Sequence, residues 1–318
     1  MEEERPDGKP VSRPGHELRR YLGGGRLEQD GEWHCEYDAD GNLTERYLGT
    51  GRWLDGKKDR WRYRWNADGS LAKVVRPDKR EVEFTYDALG RRLSKSFGTT
   101  VMRWVWNDNV PLHQWKQHRE YSVVEDRWNT DTERRDMTVW LFDEESFVPV
   151  AMIKEGRSYS ILTDQLGTPT EAYDTEGNEV WSRVLDMDGN VIEETGNKGM
   201  VPFLFQGQYY DRETGLAYNR FRYYSPKMGV YVSQDPIELE GGILNLYGYV
   251  DDTNGWIDVF GLAKSYGRTG KQARLRQLAN DPKQPKWIRG WIKNEIRHIK
   301  NKDRKTIRLP GNSKKFDW

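Results

Sequence analysis

Cysteine and long apolar runs are almost absent from this sequence of 318 residues. The single cysteine, Cys35, excludes a disulfide within the chain and a metal site built from several cysteines, and we expect it in a strand. No stretch approaches the roughly eighteen consecutive apolar residues of a membrane span. The start of the chain, Met1 to Pro10, is acidic and polar, so the sequence predicts neither a membrane span nor a classical signal peptide.

Apolar residues are scarce overall, but aromatic residues are abundant. Hydrophobic residues make up 35% of the chain, which nevertheless contains 14 Trp and 17 Tyr. Aromatic side chains bury large areas and favour pleated surfaces, so they can supply a core that the aliphatic content alone could not. The composition therefore indicates a folded, strand-rich protein rather than a disordered one.

Acidic and basic residues are unevenly distributed although the formal net charge is zero. From Ala263 to Trp318 there are 17 Lys and Arg against 4 Asp and Glu, and the rest of the chain has 34 against 47. Two parts of opposite charge attract each other and favour different partners. The charge distribution alone predicts a boundary near residue 262.

A short turn motif recurs along the chain: an aromatic residue, Asp or Asn, two residues, Gly and then an aliphatic residue. Clear copies are Tyr37–Leu43, Trp65–Leu71 and Tyr86–Leu93, and weaker ones are Tyr173–Gly177 and Leu185–Gly189. Such glycines supply the positive φ of a tight hairpin turn. Calcium binding by the Asp residues is an alternative, but their irregular spacing favours turns.

The segments beside these turns alternate as strands should. Aromatic residues occupy one face and arginines the other in the run Arg60, Trp61, Arg62, Tyr63, Arg64 and Trp65. The sequence thus predicts a mainly β fold of repeated hairpins in an extended or wrapped sheet over residues 31–150, after a loose segment at 1–30. We expect residues 117–136 to form a loop or hairpin excursion, and His113 and His118 to be surface residues rather than metal ligands.

Several motifs in the second half of the chain resemble the Rhs/YD-repeat proteins and their Rhs repeat-associated core domain. The resemblance spans about residues 31–262, with the core domain at 151–262. It rests on the YD-type turns and on the motifs Thr163–Pro169, Phe205–Asp211, Glu213–Leu216, Tyr218–Arg220, Tyr223–Pro226, Asp235–Ile237, Asn245–Tyr247 and Asn254–Asp258.

The resemblance implies a cocoon-like β-shell that encloses a C-terminal toxin segment, together with an aspartyl-type self-cleavage that releases this segment. The residues that match are Asp235 and Asp258 as the catalytic acids and Leu262–Ala263 as the cleaved bond. Two carboxylates that share a proton can activate water and protonate the leaving amide. This sequence has Glu238 where the family has Gly and Val259 where it has Pro, so a structural role for the two acids is the alternative.

The tail at 263–318 differs from everything before it. Apolar residues at helical spacing predict a small basic α-helical domain, interrupted by Pro282 and Pro285. Interleaved basic and aromatic residues suit contact with nucleic-acid phosphates, and the predicted contact residues are Arg289, Lys293, Arg297, Lys300, Arg304 and Lys305. Docking on the acidic part of the chain is the alternative.

The stretch from Leu278 to Ile292 resembles the start of a polymorphic toxin type 8 domain, which implies a nuclease-like toxin. The tail has one histidine, His298, and we expect this toxin domain to be incomplete. The shell is expected to need no cofactor, whereas an intact toxin would use a divalent metal.

Together these features predict the C-terminal part of an Rhs effector of interbacterial competition. The expected partners are its own toxin segment, an immunity protein, nucleic acid, and type VI spike or adaptor proteins bound through a missing N-terminal region. The protein would reside in the bacterial cytoplasm before it is delivered into target cells without a classical signal. The alternative is a non-enzymatic remnant, a binding shell with a nucleic-acid-binding tail.

Overall fold

The computed structural model describes residues 19–49, 58–144, 146–236, 245–250 and 252–262, together with Ser265–Tyr266, Lys293, Ile307–Arg308 and Lys315–Phe316. The described residues form one sheet of 17 strands and three smaller sheets. The strands of the large sheet are β1 Arg19–Tyr21, β2 Leu27–Asp30, β3 Trp33–Tyr37, β4 Leu43–Leu48, β5 Lys58–Trp65, β6 Leu71–Val75, β7 Glu81–Tyr86, β8 Arg92–Phe97, β9 Thr100–Asn107, β10 Val110–Ser122, β11 Arg127–Thr130, β12 Arg135–Phe142, β13 Pro149–Lys154, β14 Arg157–Thr163, β15 Pro169–Tyr173, β16 Glu179–Leu185 and β17 Val191–Gly196. A 3-10 turn at Gly23–Gly25 joins β1 to β2.

The large sheet is an antiparallel meander in which consecutive strands pair with each other. At β10 the pattern branches. One end of this long strand pairs with β11 and the other with β12, after which the meander continues to β17. The β10–β11 hairpin is the excursion predicted for residues 117–136, and that prediction is confirmed.

The recurring motif forms one type of hairpin turn. The amide of the Asp or Asn donates to the carbonyl four residues later, and the glycine amide donates back to the carbonyl of the Asp or Asn; these turns begin at Asp38, Asn66, Asp87, Asp164, Asp174 and Asp186. The glycines have φ between 76° and 87°. In most of these turns the Asp carboxylate accepts bonds from amides of its own turn. The motif is therefore hairpin chemistry, as the spacing predicts.

The inner face of the sheet is aromatic, and the described residues within 201–262 fill the space beside it. These residues include a sheet of four short strands, β18 Tyr209–Asp211, β19 Leu216–Asn219, β20 Arg222–Ser225 and β21 Val230–Tyr231. One buried cluster contains side chains of both parts, with ring contacts between the pairs Phe84–Tyr223, Trp104–Tyr209 and Trp140–Phe203 at 4.7–5.4 Å. The mainly β fold predicted from the sequence is confirmed.

A buried ionic network also joins the two parts. The carboxylate of Asp211 lies 2.5 Å from a guanidinium nitrogen of Arg92 and 2.9 Å from the ammonium of Lys95. The Arg92 and Asp211 side chains are 1% and 0% exposed, and Lys95 also contacts Glu213. Because a buried charge without a partner is costly, this network fixes the inner residues to β8.

Two predicted boundaries do not coincide with the ends of the large sheet. Residues 19–30 are not loose, because β1 and β2 pair within the sheet through Arg19–Asp30 and Arg20–Gln29; residues 1–18 lie outside the described range. The boundary predicted at residue 150 falls inside β13, and the meander ends only at Gly196. The sequence did not show where the meander ends, because hairpins on either side of residue 150 use the same turn chemistry.

The tail is described only in short pieces. Strands β22 Trp256–Ile257 and β23 Ser265–Tyr266 pair across the predicted boundary, and β24 Ile307–Arg308 pairs with β25 Lys315–Phe316. Lys293 is helical. Apart from these pieces, the predicted basic helices lie outside the described residues. In the part of the chain that the structure describes, no helix has the length and apolarity to span a bilayer.

Candidate active site

The two acids predicted for self-cleavage meet at one guanidinium group. Asp235 follows β21, Asp258 follows β22, and Arg222 begins β20. The Nη2 atom of Arg222 lies 3.1 Å from Oδ2 of Asp235 and 3.4 Å from Oδ2 of Asp258. The side chain of Asp235 is 9% exposed, that of Asp258 is 1% exposed and that of Arg222 is 2% exposed. The structure therefore brings together two acids that are 23 positions apart in the sequence.

Asp258 is bonded to the chain segment that ends at Leu262. Its Oδ1 accepts a hydrogen bond from the Leu262 amide at 3.0 Å, and its Oδ2 accepts one from the Tyr231 hydroxyl at 2.9 Å. Arg222 Nε donates to the carbonyl of Gly261. The peptide group between Gly261 and Leu262 is thus bonded at both its oxygen and its nitrogen.

Asn219 fixes the backbone and the phenol beside the acids. Its side-chain amide donates to the Asp258 carbonyl at 2.9 Å and to the Tyr231 hydroxyl at 2.6 Å. The Arg222 guanidinium also stacks on Tyr231, with Cζ 3.6 Å from the ring centroid. These contacts hold the orientation of each polar group in the site.

Two glycines allow residues 258–262 to lie against the inner sheet. Gly207 has φ of 81°, and a Cβ there would lie 2.2 Å from the Val259 carbonyl oxygen. Gly261 has φ of 68°, and a Cβ there would lie 2.7 Å from the Asn219 carbonyl oxygen. Only glycine combines this backbone conformation with so close an approach.

The electrostatics of the site combine two carboxylates with one guanidinium. The formal charges of these three side chains sum to −1. Burial, and then the charge of Asp258, raise the pKa of Tyr231 well above its ordinary value. Burial raises the pKa of Tyr249 in the same way. Tyr231 therefore remains a neutral hydrogen-bond donor across the physiological pH range.

The sequence identified the acids but not the residues that organise them. Arg222, Tyr231 and Asn219 lie in a Tyr-rich segment, where the sequence shows only strand-like spacing. Their role depends on contacts over as many as 39 positions. Leu262, predicted as one side of the cleaved bond, contacts Asp258 through its amide. Ala263 and Glu238 lie outside the described residues.

The predicted nucleic-acid contacts are described at one position only. Lys293 is exposed, and the other five lie outside the described residues: Arg289, Arg297, Lys300, Arg304 and Lys305. Among the described residues, no group of three or more His, Cys, Asp or Glu side chains could hold a metal ion.

Comparison with known proteins places the fold in a family. The family model for the teneurin YD-shell matches residues 19–253. A crystal structure of TcdB2-TccC3-Cdc42 is similar over 72% of this chain and 13% of that chain, with a TM-score of 0.50 and 16% identity. At that identity the likeness concerns the fold alone.

Curated bacterial proteins are also similar in sequence. "Probable deoxyribonuclease RhsA" of Dickeya dadantii is 30% identical over 76% of this chain, and "Double-stranded DNA deaminase toxin A" of Burkholderia cenocepacia is 31% identical over 82%. "Toxin protein Tse5" of Pseudomonas aeruginosa is 30% identical over 71%. The chain spans only 16–19% of the length of these three relatives. From the family match and the antiparallel meander of YD-type hairpins, we conclude that the chain belongs to the Rhs/YD-repeat family of shell proteins.

Proposed function

We propose that this chain is the shell part of an Rhs polymorphic toxin and that it cleaves itself after Leu262. The observation that carries the proposal is the shared contact of Asp235 and Asp258 with Arg222, together with the bond from the Leu262 amide to Asp258. Cleavage there would separate the acidic shell from the basic segment that begins at Ala263.

The chemistry would be the hydrolysis of one peptide bond. One carboxylate removes a proton from water, whose oxygen attacks the Leu262 carbonyl carbon, and the other acid donates a proton to the Ala263 nitrogen as the bond breaks. The products are a carboxylate on Leu262 and a new N-terminus at Ala263. Arg222 positions both acids and the preceding carbonyl, and it offsets negative charge during the attack.

The glycines and the buried contacts would pre-organise this reaction. A segment fixed by hydrogen bonds with Asp258 and Arg222 and by close packing on Gly207 needs little reordering before attack, which lowers the entropic part of the barrier. Val259 does not prevent this arrangement, because its backbone lies directly on Gly207.

The test is expression of the full chain, followed by intact mass measurement and N-terminal sequencing of any fragment. We expect a fragment that begins at Ala263, and we expect Asp235→Asn and Asp258→Asn to abolish it. Asp174→Asn, in a hairpin turn remote from the site, is the matched control and should cleave normally. Thermal unfolding of all variants separates lost chemistry from lost folding.

An uncut, folded wild-type chain would refute self-cleavage. In that case the three charged side chains would be a structural ion cluster that anchors the end of the shell, and the chain would be the non-enzymatic binding shell. This alternative has a specific basis, since a guanidinium between two carboxylates is also a common structural arrangement.

The wider role follows from the relatives, two of which are named as toxins. The shell would hold its own C-terminal segment until delivery into a target cell, and an immunity protein would protect the producer. The same proposal includes release from the bacterial cytoplasm through type VI spike or adaptor proteins. It also includes a nuclease activity of the toxin that uses a divalent metal. Incubation of the segment 263–318 with DNA and RNA, with and without Mg²⁺, tests the activity and the nucleic-acid contact separately.

A further inference from the structure

Arg46 is a buried arginine that has no acidic partner among the described residues. It lies on the inner face of β4, opposite Cys35 and Trp61, and is 8% exposed. Among the described residues, its Nε atom has no hydrogen-bond partner. A buried guanidinium without a partner is costly, and native proteins normally pair such a group.

A second cation lies next to Arg46. The Arg46 guanidinium carbon lies 4.1 Å from the centroid of the Trp33 ring, and the Lys227 ammonium lies 4.7 Å from the same centroid. Burial, and then the charge of Arg46, lower the pKa of Lys227, and the charges of Asp30 and Asp59 only partly oppose this shift. The Trp33 ring partly compensates both charges, but the two cations still repel each other.

Both cations line a cavity of about 510 Å³ between β4–β6 and the inner residues. The other charged groups of its wall are already paired: Arg76 with Asp78, Arg212 with Glu194, and Glu213 with Lys95. Aromatic residues form further parts of the wall, namely Trp61, Tyr63 and Tyr210. Arg46 and Lys227 are thus the charges of this wall that a ligand could neutralise.

We propose that this cavity binds a phosphate group. A phosphate has a charge between −1 and −2 near pH 7 and roughly balances two cations, whereas one carboxylate leaves a net positive charge. Arg is well suited to bidentate contacts with phosphate, and Lys contributes a point charge. The cavity is within the range of about 300–1,000 Å³ typical of small-molecule sites, so free phosphate and the phosphate of a nucleotide both fit.

The test measures the thermal midpoint and calorimetric binding of the full chain with sodium phosphate at constant ionic strength. Adenosine monophosphate is a second ligand, and a glutamate-rich peptide is a third. We expect phosphate to raise the midpoint, and tighter binding of adenosine monophosphate would indicate a nucleotide ligand. Comparable binding of the two ligands would identify free phosphate as sufficient.

Arg46→Gln and Lys227→Gln should each weaken phosphate binding at least tenfold. Without phosphate, Arg46→Gln should unfold at or above the wild-type temperature, because the repulsion is removed. The matched control is Lys198→Gln, which removes one exposed cation outside the cavity and should bind as the wild type does. No phosphate binding by the wild type, equal binding by Arg46→Gln, or binding of the peptide alone would overturn the proposal.

Discussion

Replacement of Gly207 by alanine tests how tightly residues 258–262 are held. The new Cβ would lie 2.2 Å from the Val259 carbonyl oxygen and 2.7 Å from its Cα, so backbone has to move. Gly69 provides the control, because its φ of 80° nearly equals the 81° of Gly207 and, chain neighbours aside, no atom of the described residues lies within 4 Å of its Cβ position.

The two substitutions share the cost of alanine in the left-handed conformation, about 1–2 kcal/mol. Gly207→Ala should cost about 1–3 kcal/mol more, which is the usual penalty for overpacking. This difference is the contribution of the contact with Val259. It corresponds to a thermal midpoint lower by roughly 2–4 °C for each kcal/mol.

Unfolding by urea, followed by tryptophan fluorescence, measures the two free energies. Hydrogen exchange locates the effect, and we expect faster exchange of the Leu262 amide in Gly207→Ala only. If self-cleavage occurs, it should slow in the same variant. Equal free energies of unfolding for the two variants would refute the close contact between Gly207 and Val259.

Three further perturbations address other parts of the molecule. Asp211→Asn removes the acidic partner of the buried Arg92 and leaves Lys95 with Glu213 alone. It should destabilise the fold by about 3–5 kcal/mol in urea unfolding, whereas a loss below 1 kcal/mol would show that the network is not buried. Tyr231→Phe removes the hydroxyl that donates to Asp258, so it should lower the free energy of unfolding by about 1–3 kcal/mol and slow any cleavage. An unchanged cleavage rate would show that the hydroxyl takes no part in the reaction. Burial raises the pKa of Cys35 to about 12, so Ellman's reagent at pH 8 should react with it only after unfolding, and rapid reaction of the native chain would contradict its burial.

The raised pKa of the Cys35 thiol also makes the stability of the fold depend on pH in the alkaline range. The pKa is 9.0 in the reference state and higher in the fold, so the unfolded chain loses this proton first as pH rises. The contribution of the neutral thiol is complete below pH 9 and declines between about pH 9 and 12. Cys35→Ser should reduce this dependence in unfolding measurements from pH 8 to 11.

Local chemistry made the outer sheet predictable. Each YD-type turn depends on a glycine and on amides within five residues, and the strand faces follow from alternation in runs such as Arg60–Trp65. The residues that organise the candidate site were not predictable in this way. Arg222 acts through Asp235 and Asp258, and this contact depends on how the inner strands turn back on one another. The boundary predicted at residue 150 has no counterpart in the meander, because hairpins with the same signature continue beyond it.

The large sheet is synthesised before the residues that cover its inner face. The inner residues follow nearly all of the sheet in sequence, and contacts such as Tyr247 Oη to the Gly41 carbonyl span 206 positions. The ribosome adds about 5–20 residues each second, so the aromatic face of a nascent sheet stays uncovered for many seconds until the inner residues are synthesised. Contacts between distant positions also slow folding. Premature termination near Gly196 would therefore leave a sheet with an uncovered aromatic face, which we expect to aggregate or to recruit chaperones.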